Sequence, residues 1–154
     1  MGSVIVGVDR SETAARAATA AAELAQAIGA PLHVVTAIGK KTSTEVRSGT
    51  DTFRIDTLDQ AESFVSEVAR RLGGPSATWS VQTSDPAHAV CSEAKRIGAS
   101  YIVVGNRRTQ GAGRVLGSIA SAVLHHAPCH VVVAKTTKLV DLTETDRRKT
   151  SAPG

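Results

Sequence analysis

Short runs of apolar, β-branched residues alternate along the chain with longer segments whose apolar residues recur every three or four positions. The short runs predict strands and the longer segments predict amphipathic helices. The predicted strands are residues 3–8, 32–37, 77–81, 101–104 and 129–134. The predicted helices are residues 12–28, 58–72, 86–98 and 119–126. Strands and helices therefore alternate up to about residue 135.

Capping residues mark the ends of two of these helices. Ser11 and Asp85 stand immediately before predicted helices, where a short side-chain oxygen can accept a hydrogen bond from an unpaired backbone N–H. Pro86 then takes the first helical position, where its missing N–H costs nothing. The first helix is predicted to end at Gly29, since glycine is typical of the position after the last helical turn.

The predicted strands are apolar at nearly every position rather than at every second one. Such strands are buried on both faces, as in parallel sheets that helices cover on each side. Joining parallel strands through helices requires right-handed crossovers. The pattern therefore predicts an α/β fold: a single doubly wound domain with a five-stranded, mostly parallel sheet and helices on both faces.

Two polar segments depart from this alternation. Residues 40–51 are rich in Ser and Thr and lack periodicity, which predicts a loop of unusual length. Residues 136–154 are polar and charged and close on Ser-Ala-Pro-Gly, a composition typical of a mobile tail. We therefore predict one domain over residues 1–135, followed by the tail.

The composition of the 154 residues fits one globular domain, with 42% hydrophobic and 21% charged residues. Cys91 and Cys129 are too few for a disulfide framework and are expected to be buried thiols. No apolar run is long enough to span a membrane, and the first residues lack the basic region of a secretory signal. We therefore expect a cytoplasmic protein with no membrane partner.

The formal net charge is +4, and part of it comes from the predicted tail. A basic excess is compatible with nucleic-acid binding, but one Trp, one Tyr and two Phe provide few side chains on which bases could stack. No helix suited to reading a groove is recognisable either. These features argue against nucleic acid, and a small anionic ligand accounts for the charge equally well.

Candidate binding residues follow the predicted strands. In open α/β sheets, ligands bind beyond the carboxyl ends of the strands, where neighbouring crossovers go to opposite faces. Asp9, Ala37 and Gly105 occupy these ends. The Asp9 carboxylate can accept hydrogen bonds from ribose hydroxyls or an adenine amine. The alternative role for Asp9 is that of an ordinary turn or helix-capping residue.

Residues 105–118 form a glycine-rich segment between the fourth predicted strand and the last predicted helix. Glycines let backbone N–H groups approach an anion closely, and Ser118 is expected to cap the helix, whose N-terminus favours a phosphate. Arg107, Arg108 and Arg114 can add charge-assisted bonds. The alternative is a plain loop that ends in an ordinary capping serine. The P-loop pattern G-x-x-x-x-G-K-[ST] and the dinucleotide fingerprint G-x-G-x-x-G are both missing, which argues against those two classes.

Four stretches of the sequence resemble the universal stress protein family. They are the opening Val-Ile-Val-Gly-Val-Asp-Arg-Ser, the strand Tyr-Ile-Val-Val-Gly, the segment Gly-Ser-Ile-Ala, and the final strand Ala-Pro-Cys-His-Val-Val-Val-Ala. The resemblance covers residues 3 to about 135. It implies the Rossmann-like fold of the adenine nucleotide alpha hydrolases, sheet order 3-2-1-4-5, a role as a stress-response regulator, and homodimers that pair through the last strand, here His130 to Ala134.

The resemblance also implies a bound adenine nucleotide, ATP or a relative, with Mg²⁺ as a possible companion. By motif position, Asp9 would hold the ribose or base, while Gly7, Ala37 and Val104 would line the adenine pocket. The residues that would contact phosphate are Gly105, Gly117, Ser118 and Ile119.

The glycine motif departs from that of the nucleotide-binding members, which carry G-x-x-G, nine residues, then G-[ST]. Here Arg108 replaces the second glycine, and eight residues rather than nine precede Gly117. Arg108 can either obstruct the family's phosphate pose or bind phosphate itself while Gly111 and Gly113 supply backbone contacts. If it obstructs, the alternative function is a dimeric interaction module that binds no nucleotide.

Catalysis requires a positioned base, nucleophile or metal, and the sequence offers no clear set. The densest cluster is His125, His126, Cys129 and His130. Neighbouring strand residues point to opposite faces, and histidines at a helix C-terminus are favourable with its dipole, so no zinc site is expected. We therefore expect a binding protein rather than an enzyme, with slow ATP hydrolysis at most.

Overall fold

The computed structural model describes residues 2–39, 50–106 and 116–136, with side chains in the second range from residue 57 onward. The predicted tail beyond residue 136 lies outside the described residues. So does most of the predicted loop at residues 40–51, of which only Thr50 and Asp51 are described, as backbone.

Five strands of the described residues form one sheet. They are β1 (Val4–Gly7), β2 (Leu32–Ala37), β3 (Thr78–Gln82), β4 (Tyr101–Gly105) and β5 (His130–Ala134). The strand order is β3-β2-β1-β4-β5, and all four pairings are parallel. Both the predicted doubly wound α/β fold and the predicted order 3-2-1-4-5 are confirmed.

Four α-helices connect the strands in the described part of the chain: α1 (Glu12–Ile28), α2 (Thr50–Gly73), α3 (Pro86–Ile97) and α4 (Ser118–His126). Helix α2 begins at Thr50 rather than at the predicted Leu58, so the prediction of a loop was wrong for Thr50 and Asp51. Thr and Asp side chains can hydrogen-bond to the nearby backbone in non-helical conformations, which makes these residues common in turns. A helical segment rich in Thr and Asp therefore resembles a loop in its sequence.

The predicted caps of α1 and α3 are confirmed. The Ser11 side chain accepts a 3.1 Å hydrogen bond from the Ala14 N–H, and Asp85 Oδ1 accepts one of 3.0 Å from the His88 N–H. Helix α1 ends at Gly29, whose φ of 67° lies in the left-handed region that favours glycine.

The start of α4 differs from the prediction. Gly117, with extended φ and ψ of −63° and 161°, is the capping residue, and no side chain among the described residues caps this helix. Ser118 is the first helical residue, so the prediction that it caps α4 was wrong. The helix begins one residue earlier than its apolar pattern indicates.

The helices cover the two faces of the sheet, and each face has its own aliphatic core. Along β1, Val4 and Val6 pack on the side of α1 and α2, whereas Ile5 packs on the side of α3 and α4. All three are fully buried, which is why the strand is apolar at consecutive positions. None of the described helices is long and apolar enough to cross a membrane.

The crossovers through α1 and α3 lie on opposite faces of the sheet. The chain adds β2 and β3 on one side of β1, and then β4 and β5 on its other side. The direction of strand addition therefore reverses between β1 and β4. In this class of fold, a crevice opens at such a point, beyond the carboxyl ends of the strands.

Candidate functional site

A pocket of about 490 Å³ lies beyond the carboxyl ends of β1, β2 and β4. Its walls come from these strand ends and from the first turns of α1, α3 and α4. Eight of the residues predicted from the sequence line it together: Gly7, Asp9, Ala37, Val104, Gly105, Gly117, Ser118 and Ile119. The other three, Arg108, Gly111 and Gly113, lie outside the described residues.

Asp9 stands at the rim of the pocket, just after β1. Its Oδ1 accepts a 2.7 Å hydrogen bond from the Ser11 N–H, and the residue is exposed. This bond is the turn role that the sequence analysis gave as the alternative to ligand binding. Aspartate at this position therefore stabilises the turn before α1, and the same hydrogen bond holds its carboxylate beside the pocket.

Two glycines of the pocket wall, Gly7 and Gly105, leave room that neighbouring side chains occupy. A Cβ on Gly7 would stand 2.6 Å from the Val90 γ2 methyl, and one on Gly105 would stand 2.9 Å from the Thr136 γ2 methyl. Neither glycine has a positive φ, so its backbone conformation is open to other residues. Bare backbone at these positions lets other parts of the chain approach the strand ends closely.

The N-terminus of α4 forms another part of the wall. Gly117 is partly exposed, whereas Ser118 and Ile119 are exposed and line the pocket. The first N–H groups of a helix lack partners within the helix and carry its positive dipole end. Because no side chain of residues 2–39, 57–106 or 116–136 caps α4, this wall offers N–H groups and the Ser118 hydroxyl to an anion.

Helix α3 contributes pocket residues that the sequence pattern did not indicate. Ala89 and Val90, one turn into this helix, line the pocket, and Thr13 from α1 does so as well. The Asp85-Pro86 signal predicted where α3 begins along the chain. It did not indicate that the start of α3 lies beneath the ends of β1 and β2. Only the crossover from β3 at one edge to β4 near the other brings the start of α3 under β1 and β2.

The described wall of the pocket carries few ionisable side chains. Asp9 is the one titratable side chain among the described residues that line the pocket. Over the described part of the chain, no group of three or more His, Cys, Asp or Glu residues is placed to hold a metal ion. The three arginines expected near phosphate, at positions 107, 108 and 114, lie outside the described residues.

Outside the pocket, a cluster of polar side chains lies between β2, β3 and α3. Buried His33 contacts Thr78 Oγ1 through Nδ1 at 2.6 Å and Ser80 Oγ through Nε2 at 3.0 Å. Its Nε2 also lies 3.2 Å from Oε1 of Glu93, which is 1% exposed and bonded to Arg96.

Burial lowers the pKa of His33, although the nearby Glu93 opposes that shift. The hydrogen bond from Arg96 lowers the pKa of Glu93. At neutral pH, Glu93 is therefore a charged carboxylate and His33 is a neutral imidazole. Their contact joins β2 to α3.

Comparison with known proteins is consistent with this architecture. A universal stress protein from Synechocystis sp. is 32% identical over 75 residues, which are 48% of this chain and 47% of that protein. The match thus spans about half the length of that relative. The structure of the universal stress protein UspA from Lactobacillus plantarum superposes with a TM-score of 0.64 at 27% identity, covering 85% of this chain and 96% of that one.

Two further structures share the fold at 24% identity. One is a crystal structure of a universal stress protein in complex with cAMP, with a TM-score of 0.61 and coverage of 88% and 98% of the two chains. The other is the universal stress protein from Archaeoglobus fulgidus in complex with dAMP, with a TM-score of 0.56 and coverage of 86% and 97%. The sequence model of the Universal stress protein family matches residues 1–135, and the chain belongs to this family.

Proposed function

We propose that the chain is a stress-response regulator that binds an adenine nucleotide in the pocket beyond β1, β2 and β4. The observation that carries the proposal is the convergence of eight predicted residues, from three strand ends and the start of α4, on one pocket. These residues come from four separate segments of the sequence, so their shared pocket is not a consequence of local order.

The wall divides into parts that match the parts of a nucleotide. Val35, Ala37 and Val90 provide an apolar surface suited to a flat base. Asp9 at the rim can accept hydrogen bonds from ribose hydroxyls, which are donors. The N-terminus of α4, with Ser118, can receive a phosphate. Asp9 is also the one carboxylate among the described lining residues that could help to hold Mg²⁺ beside a nucleotide.

Two structural relatives support the choice of ligand, because their structures are complexes with cAMP and with dAMP. Both ligands carry adenine, a sugar and one phosphate. A pocket of about 490 Å³ falls within the usual range for small-molecule sites, roughly 300–1,000 Å³.

We infer that the protein acts by binding rather than by catalysis. Hydrolysis of a phosphoanhydride needs a group that orients or deprotonates water, and Asp9 is the one titratable side chain in the described wall. Asp9 is engaged with the Ser11 N–H and lies on the rim. Any ATP turnover is expected to be slow.

A homodimer through β5 is the second part of the proposal. Strand β5 is an edge strand with β4 as its neighbour, and Val132 and Val133 are each 37% exposed. Edge strands offer unpaired backbone groups to another chain. The same exposed strand favours the second candidate function, an interaction module without nucleotide, in which Arg108 obstructs the site.

Calorimetric titration of nucleotide-free protein with ATP and with cAMP, each with and without Mg²⁺, tests the proposal. We expect saturable binding in the micromolar range and a loss of affinity in the variants Asp9→Ala and Ser118→Ala. The matched control is Ser121→Ala, an exposed serine on α4 outside the pocket. Absence of heat and of thermal stabilisation at millimolar ligand would favour the interaction module.

A further inference from the structure

Asn106 connects the end of β4 to the start of α4 through its side chain. Its Oδ1 accepts a 2.7 Å hydrogen bond from the backbone N–H of Gly117, the residue that precedes the first turn of α4. Gly117 lines the pocket. The bond therefore ties one wall of the pocket to the strand that forms another.

The backbone of Asn106 is itself held in place by Thr136, a buried residue just after β5. The Asn106 N–H donates to Thr136 Oγ1 at 3.3 Å, and the Thr136 hydroxyl donates to the Asn106 carbonyl at 3.0 Å. The Thr136 carbonyl in turn accepts a 2.6 Å bond from Arg16 Nη1 of α1. Asn106 is thus anchored to the sheet and to α1 before its side chain reaches α4.

This bond changes which groups at α4 are available to a phosphate. The resemblance to the family assigned Gly117 a phosphate contact, but its N–H already donates to Asn106. The N–H groups of Ser118 and Ile119 follow it in the first turn, and no side chain in the described part of the chain caps them. A phosphate can therefore use these two N–H groups while the bond to Asn106 stays intact.

We propose that Asn106 is a positioning residue of the nucleotide site, which holds the N-terminus of α4 beside the end of β4 so that Ser118 and Ile119 meet the phosphate. The inference rests on the proposed function. The opposite arrangement, in which the Asn106 oxygen competes with phosphate for the Gly117 N–H, predicts a rise in affinity when Asn106 is removed.

The first test needs no ligand. Amide hydrogen exchange is measured by NMR at Gly117 in the wild type, Asn106→Ala and Asn106→Asp. We expect Asn106→Ala to increase exchange at Gly117 about tenfold, whereas Asn106→Asp retains an acceptor oxygen and keeps the protection. Ser121→Ala on the exposed side of α4 is the control and should leave Gly117 unchanged. Unchanged exchange in Asn106→Ala would overturn the inference.

The second test compares ATP with adenosine, which lacks the phosphates. Asn106→Ala should bind ATP about tenfold more weakly, because one hydrogen bond orders this wall, and should bind adenosine with unchanged affinity. Unchanged or increased ATP affinity, or an equal loss for both ligands, would overturn it. If the wild type binds neither ligand, the proposed function fails, and the exchange measurement alone decides whether Asn106 holds Gly117.

Discussion

Gly105, the last residue of β4, packs directly against Thr13 in the first turn of α1. A Cβ built on Gly105 would stand 2.8 Å from the Thr13 γ2 methyl and 3.2 Å from the Thr13 carbonyl oxygen. The carbonyl belongs to a helix and cannot yield as a flexible side chain can. The close approach of α1 to β4 beside the pocket therefore depends on the absence of a side chain at residue 105.

This contact predicts that Gly105→Ala destabilises the protein although alanine is small. We expect a loss of about 1–3 kcal/mol, the usual cost of overpacking, and a melting temperature lower by roughly 2–4 °C for each kcal/mol. Thermal unfolding followed by circular dichroism measures it. The matched control is Gly39→Ala, because a Cβ on Gly39 would meet no atom of the described residues within 4 Å. Equal melting temperatures for the two variants would contradict this account of Gly105.

Stability should depend on pH through His33. Burial lowers the pKa of His33 from its ordinary value of 6.5, so the unfolded chain binds a proton at a higher pH than the folded protein does. This contribution to stability is complete above pH 6.5 and is lost as the pH falls from 6.5 toward the lowered pKa. Urea unfolding between pH 5 and 8 should therefore show decreasing stability in the acidic half of this range.

The variant His33→Gln should be less stable than the wild type by about 1–3 kcal/mol at neutral pH, because buried partners such as Glu93 lose a hydrogen bond. It should also lose this part of the pH dependence. His88→Gln is the control, since His88 is exposed. A pH profile for His33→Gln that parallels the wild type would exclude His33 as the source.

Gly117→Val should abolish nucleotide binding while the protein stays folded. The φ and ψ of Gly117, −63° and 161°, are accessible to valine, and its bond to Asn106 uses the backbone N–H. The added branched side chain lies in the pocket wall next to the N-terminus of α4, where it would obstruct a phosphate. Calorimetry with ATP tests the loss of binding, and circular dichroism tests whether the variant stays folded. Unfolding of this variant would show that Gly117 is required for the fold.

Val132→Pro should convert a dimer into monomers, because proline removes a backbone N–H donor from β5. Size-exclusion chromatography with light scattering measures the mass. Val132→Lys accompanies it, since lysine on an edge strand opposes pairing without removing the donor. If both variants stay folded and dimeric, β5 is not the interface. A wild-type protein that is monomeric at micromolar concentration would already exclude the proposed dimer.

Much of the fold follows from local signals in the sequence. The β-branched runs predicted all five strands to within about one residue at each end, and Ser11 and Asp85 predicted the starts of α1 and α3. These features depend on neighbouring residues alone, because a cap bonds within three positions and a buried strand must be apolar wherever it lies. The start of α2 was missed, since its first turns are rich in Thr and Asp.

The sequence by itself therefore determined the elements, their alternation and the family motifs that nominate Asp9 and Ser118. Only the tertiary structure decided what meets across the chain. The contact of Gly105 with Thr13, the bond from Asn106 to Gly117, and the pairing of His33 with Glu93 each join distant segments. Such contacts follow from the strand order and the crossovers, and no local periodicity encodes which residues a crossover brings together.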